Sequence, residues 1–217
     1  LTVEESDFTE DITEVSYTEI PVLDKASAIR LGSRKMGSII EYVSQFEVAN
    51  NYTQINYQEK PVRVTPLEYG GFFKWINNVK EGIPAYIRIN MTNQQVELVE
   101  LEEGMKYTES DHFFRNIYRY IRFKYPTYIF ADLNFEIDDE GNPYYVASTY
   151  TRNFFIREPE VNGVIILNAM TGETETYSLD NIPSWVDRVY GADLIMHQLT
   201  MQGHYRNGNF NSLFAQE

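Results

Sequence analysis

The hydrophobic and polar positions over residues 125–179, alternating with a period of two in some runs and continuously apolar in another, predict long strands joined by two turns. Phe135 and Ile137 alternate with Asn134, Glu136 and Asp138, and Tyr144-Tyr145-Val146 resumes the run after a turn at Asp138-Asp139-Glu140-Gly141-Asn142. Gly141 can take positive φ and Pro143 has no N–H to give a ladder, so turn chemistry falls where a hairpin needs it. Val164-Ile165-Ile166-Leu167 is continuously apolar, which predicts a strand buried on both faces. A second turn, Ala169-Met170-Thr171-Gly172, then leads into an alternating polar strand over 173–179.

Upstream, Asp24 is an N-cap for a helix over 24–36, with Ala28, Ile29 and Met36 on its apolar face, Gly32 weakening its middle and Gly37 stopping it. Three strand runs follow, one holding Ile40, Tyr42 and Phe46, one over 52–57 and one over 60–65, with Gln58-Glu59 as a tight link. Pro61 marks an edge or a strand beginning, and the polar alternation gives this meander one wet face. Phe72, Phe73, Trp75 and Ile76, after Gly70-Gly71, predict a helix over about 69–79 ended by Gly82 and Pro84, and such an aromatic cluster reads as core.

Residues 86–101 repeat the strand, turn, strand layout of 164–179 at an offset of 78, with Asn90 and Asn168, Glu97 and Glu175, and Leu101 and Leu179 matching outright. Two related units explain this, as does the general likeness of hairpins. Between them, Ser110 as N-cap, Asp111 in the first turn, and Phe114, Ile117, Tyr118 and Ile121 at helical spacing predict a helix over 110–124, closed by Pro126. Pro183 opens a last helix through Trp185, Val186, Val189, Tyr190, Leu194 and Ile195, with Gly191 as a break point, and an irregular strap follows Gly203. The expected fold is α+β: antiparallel sheets of hairpins with three or four helices packed on one side. The expected division is an acidic, disordered tail over 1–19, a first unit over 20–104, and a second over 105–217 with the terminal helix and strap.

Charge and composition narrow the function. The 217 residues carry a formal charge of −14. Seven of the acids (Glu4, Glu5, Asp7, Glu10, Asp11, Glu14, Glu19) lie before residue 20, where there is no Lys or Arg. Nucleic-acid binding is disfavoured because phosphate contacts need a positive footprint. The absence of cysteine removes thiol nucleophiles, cysteinate metal sites and disulfides, and fits a cytosolic protein or an exported Gram-positive one. The chain starts at Leu1 without Met, which reads as a fragment or processed product, and holds no apolar run of membrane-spanning length.

Few residues offer chemistry. Arg115, Arg119 and Arg122 recur at i, i+4, i+7 on the expected 110–124 helix, with Lys124 beyond. Such a stripe could clasp an anionic polymer through bidentate guanidinium contacts, or lie on a solvated face paired with the protein's own acids. The acidic turn at 138–142 has oxygens for Ca²⁺ but not EF-hand spacing, and no metal site is expected there. His112, His197 and His204 lack ligand spacing. No nucleophile elbow or phosphate loop is present, Gly70-Gly71 alone is weak, and no catalytic residue or cofactor is nominated. Asn51-Tyr52-Thr53 and Asn90-Met91-Thr92 match a glycosylation pattern that matters only in a eukaryotic host.

Several runs together resemble the extracytoplasmic region of large membrane-anchored proteins of Gram-positive bacteria: Ile20-Pro21-Val22-Leu23-Asp24, Gln54-Ile55-Asn56-Tyr57, Pro61-Val62-Arg63-Val64, Gly82-Ile83-Pro84, the segment from Phe135 to Tyr144, and Ile182-Pro183-Ser184-Trp185-Val186. The helix before Pro126, the strands after it and the Thr171-Gly172 turn also resemble a PepSY-type unit, whereas the first unit has Thr92-Asn93. The resemblance implies a cell-envelope location, a membrane-anchored parent and a binding role toward a protein or an anionic envelope polymer. The alternatives are an envelope hydrolase using paired carboxylates and a structural spacer.

Overall fold

The computed structural model describes residues 23–39, 42, 44–131, 133–151 and 160–187. Three α-helices and two five-stranded antiparallel sheets are present among them, an α+β fold built of hairpins. Helix α1 (Lys25–Gly37) starts where its cap predicts, with the Asp24 Oδ1 accepting from the Ser27 N–H at 2.6 Å. It buries Ala28, Gly32 and Met36, spaced one turn apart. Gly32, a weak point by propensity, is a contact point in the fold. A Cβ there would meet the Tyr52 hydroxyl at 2.0 Å, so the bare helix surface lets the ring lie against it.

The first sheet comprises β1 (Phe46–Val48), β2 (Thr53–Tyr57), β3 (Lys60–Tyr69), β4 (Ile83–Asn90) and β5 (Val96–Met105). Strand β3 runs four residues beyond the expected end at Thr65, because β1 pairs with its extension from Leu67 to Tyr69. Strand β2 pairs with the other end of the same edge, across a two-residue turn with Gln58 and Glu59 both at positive φ, 49° and 62°. Helix α2 (Phe72–Asn78) links β3 to β4 and is shorter at its start than the predicted 69–79, since Tyr69 is held in the sheet.

The second sheet comprises β6 (Ile129–Phe130), β7 (Asn134–Ile137), β8 (Pro143–Thr151), β9 (Glu160–Asn168) and β10 (Thr174–Ser178), preceded by α3 (Ile117–Lys124). Its connectivity repeats the first: a helix, a short strand and a hairpin strand sharing one edge of a long strand, then a second hairpin on the other edge. The likeness extends to the register of the second hairpins. Pairs from Ala85 with Glu100 to Ile89 with Val96 recur 78 residues on, from Gly163 with Ser178 to Leu167 with Thr174. The turns agree atom for atom: Asn90 Oδ1 accepts from the Thr92 and Asn93 N–H groups, and Asn168 Oδ1 from those of Met170 and Thr171.

By this register the counterpart of Gly172 is Gln94, not Asn93. Both take positive φ, 78° and 59°. Only the second turn needs glycine, because Tyr107 lies over it and a Cβ would stand 2.4 Å from the ring. Tyr107 packs at a tilt against Tyr120, 4.8 Å between ring centres, and the Tyr120 hydroxyl donates to the Gly172 carbonyl at 2.8 Å.

One core joins the sheets, running from Leu23 and Ala28 through Ile55, Val64 and Ile87 to Phe135, Tyr145 and Leu167. The apolar run at 164–167 is buried on both faces as expected, since a smaller cluster of Val146, Val164, Ile166 and Val186, flanked by Ile182 and Trp185, covers the second sheet's other side. Residues 182–187, expected to open a helix, form an irregular segment with one turn from the Val186 N–H to the Pro183 carbonyl. They are drawn off by tertiary bonds: the Asp187 N–H donates to Glu136, and the Asn56 N–H donates to the Asp187 carboxylate. The acidic tail, the rest of the terminal helix and the strap lie outside the described residues.

The two turns give a paired test. Gly172→Ala should destabilise the protein by at least about 2 kcal/mol in urea unfolding, through both φ and the Tyr107 clash, while Gln94→Gly should be neutral or stabilising. Equal small effects at both positions would contradict the aromatic clamp.

Candidate functional site

The three arginines do not form a stripe. The helix expected over 110–124 begins only at Ile117, because Asn116 is extended (φ −63°, ψ 120°) and caps it by accepting from the Arg119 N–H. Thr108 bridges Asn116 in parallel, Ser110 accepts from the Tyr69 N–H instead of capping, and Phe113 sits at φ 55°. Of the expected apolar face only Ile117 and Ile121 are buried, while Phe114 is 85% exposed. Arg115, in a 3-10 turn before α3, donates to the Val79 carbonyl at the end of α2. Arg122 donates to the Tyr128 carbonyl and lies 4.4 Å over the Phe130 ring. The Arg119 side chain is exposed. Among the described residues none of the three forms an ion pair, the salt bridges being Arg88 with Glu97 and Lys106 with Glu103.

The aromatic cluster assigned to the core is on the surface. Helix α2 buries none of its seven residues. Phe72, Phe73 and Ile76 are 46%, 80% and 47% exposed, and Phe113 is 59% exposed. Their rings form one contiguous face: Phe72 lies 5.5 Å from Trp75 in a stacked pair, His112 packs edge-on to both, and Phe113 lies 5.8 Å from Trp75. The reason is the anchor beneath. The Trp75 Nε1–H donates at 3.0 Å to the buried Asp111, whose other oxygen accepts from the Thr108 hydroxyl at 2.8 Å. That pair of bonds turns residues 112–114 outward against α2.

Asp111 is only 2% exposed, and burial pushes its carboxyl up to about 6 against the opposing pull of its Thr108 and Trp75 bonds and of Arg115. Tyr69, beside it, has a hydroxyl without a hydrogen-bond partner among the described residues and is raised by burial and by the Asp111 charge.

A cleft of about 530 Å³ opens where the two units meet. One wall is the 49–53 corner, where the Thr65 hydroxyl donates to the Ala49 and Asn51 carbonyls. Another is the strap at Thr108–Ser110, fixed by the Ile117 N–H to Thr108 and the Asn116 amide to Glu109. Glu68, Tyr118, Asn134 and Tyr145 complete it. The sequence analysis nominates none of these residues as a ligand contact, since they come from loops, strands and a helix that are far apart in the chain.

The other sequence candidates are structural. Asp138 closes its own turn, accepting from the Glu140 and Asn142 N–H groups and from the Asn142 amide. Among the described residues no three His, Asp or Glu side chains gather to hold a metal ion. His112 belongs to the aromatic face, Asn90 is occupied in its turn, and His197 and His204 lie outside the described residues. No described helix is long and apolar enough to cross a membrane. The chain matches no family model, no curated protein and no solved structure.

The Asp111 anchor makes a pH prediction. Its folded pKa of about 6 exceeds the ordinary 3.8, so the folded state holds the proton more tightly. The stability this contributes is full below about pH 4 and is lost as pH rises through 6, up to about 3 kcal/mol. Wild type should therefore gain thermal stability relative to Asp111→Asn as pH falls from 7 to 4.5. Parallel melting curves across that range would refute it.

Proposed function

We propose that this chain is a non-enzymatic, extracytoplasmic binding module of a membrane-anchored bacterial protein, and that it binds an anionic polymer of the cell envelope through the aromatic face of α2 and residues 112–113. The observation that carries the reading is a helix with no buried residue whose exposed rings are stacked on one another and pinned from below by Asp111. Exposed apolar faces rimmed by polar residues mark interaction surfaces. The negative faces of the rings suit the weakly positive C–H edges of sugars. Lys74 and Lys80, on and just after α2, and Arg115, tied to Val79, supply cations beside it in an otherwise acidic chain.

The hydrolase alternative draws no support from Asp111, the carboxyl whose raised pKa suits a general acid: both its oxygens are occupied and it is closed to solvent. A spacer has no use for a preformed aromatic face. The envelope location and the PepSY-like character rest on the sequence runs given above.

The test is calorimetric titration with a uronic-acid glycan. Phe73→Ser with Phe113→Ser should leave the protein folded and weaken binding about tenfold or more, with wild-type affinity falling as salt rises. Unchanged affinity in the double variant, or equal binding of a neutral glycan, would refute the reading.

A further inference from the structure

We infer that the cleft between the two units is a second ligand site, independent of the aromatic face, and that it takes an amino sugar. Three observations converge on it. First, its walls are set before any ligand arrives: the Thr65 hydroxyl holds the 49–51 corner, and the strap is tied to α3 and to β3 through the Tyr69 N–H and the Ser110 hydroxyl. About 530 Å³ lies within the range of small-molecule sites and accommodates a disaccharide.

Second, Tyr145 is among its lining residues, on a side chain 1% exposed, and its hydroxyl has no hydrogen-bond partner within bonding distance among the described residues. A buried unsatisfied hydroxyl costs free energy unless something else completes it. Burial keeps this phenol neutral, so it can both donate and accept. A sugar hydroxyl, which also does both, is the matching group.

Third, the charge in the cleft calls for a cation. Glu68 is half-buried and, among the described residues, forms neither a hydrogen bond nor an ion pair. Glu47, its cross-strand neighbour, repels it, and burial together with that repulsion raises its carboxyl. An ammonium group would relieve Glu68 of both the burial and the repulsion. Asn50 and Asn51 line the same cleft and offer amides for the remaining hydroxyls. A molecule with an ammonium and several hydroxyls on one compact ring meets all of these demands.

The probe is a β-1,4-linked glucosamine disaccharide with free amines, titrated calorimetrically against its N-acetylated counterpart. Wild type should bind the amine form at least tenfold more tightly than the acetylated one. Glu68→Gln should remove that preference. Tyr145→Phe, which deletes only the unpartnered hydroxyl and keeps the packed ring, should weaken binding several-fold while leaving the melting temperature unchanged or higher. Phe73→Ser with Phe113→Ser should bind the disaccharide as wild type does. Failure of wild type to bind at millimolar concentration, equal binding of the two disaccharides, or affinity indifferent to both Glu68→Gln and Tyr145→Phe would each overturn the inference.

Discussion

Tyr86 is the residue on which the association of the two sheets depends. It is fully buried on β4, its ring lies 5.7 Å from Phe135 of β7, and its hydroxyl donates at 2.9 Å to the Gly141 carbonyl in the turn of the second unit. Phe135 in turn packs edge-on to Tyr145. A five-stranded sheet flanked by short helices cannot cover both of its faces, and here each sheet supplies cover that the other lacks. Burying an aromatic ring without leaving its polar tip unpaired demands a partner at a fixed distance, so this side chain ties the first sheet to the turn of the second.

The shared topology makes the differences between the units informative. Where the first turn is open to solvent, Gln94 tolerates a positive φ; where Tyr107 and Tyr120 close over the second, only Gly172 fits. Tyr107 immediately precedes the strap and Tyr120 lies on α3, so the second hairpin is held by the segment that joins the units. The Lys106 and Tyr107 N–H groups both donate to the Ala169 carbonyl, adding backbone bonds to the same junction.

What could be read from the chain followed the range of the forces involved. Hairpins were legible because their information is local: Asn168 and Gly172 specify a turn within five residues, and the buried run at 164–167 declares itself by composition. The related register of the two hairpins was visible only as a few identities, since pairing is fixed by turn geometry more than by the side chains that alternate above it. The helix over 110–124 misread a segment whose helical periodicity is real but whose Asp111 is captured by Trp75 and Thr108, leaving Asn116 as the first residue able to cap. The aromatic residues of α2 were assigned to the core because composition reports a preference for burial and not the presence of a covering layer. The cleft was invisible for a further reason: Asn50, Glu68, Thr108 and Tyr145 meet only after both sheets form.

One short strap serves both surfaces. Thr108 and Ser110 line the cleft, and Thr108 also donates to the carboxylate that holds Trp75 under the aromatic face. Three residues therefore set the position of a wall on one side and of a ring platform on the other. A strap free to move would lose both; it bonds to β3 and α3 directly and to α2 through Asp111, so no single neighbour can shift it alone. The acidic cleft and the cation-flanked aromatic face are thus kept apart in charge and fixed in relative position by the same few hydrogen bonds. The buried charge of Asp111, unfavourable in itself above pH 6, is the cost of that arrangement.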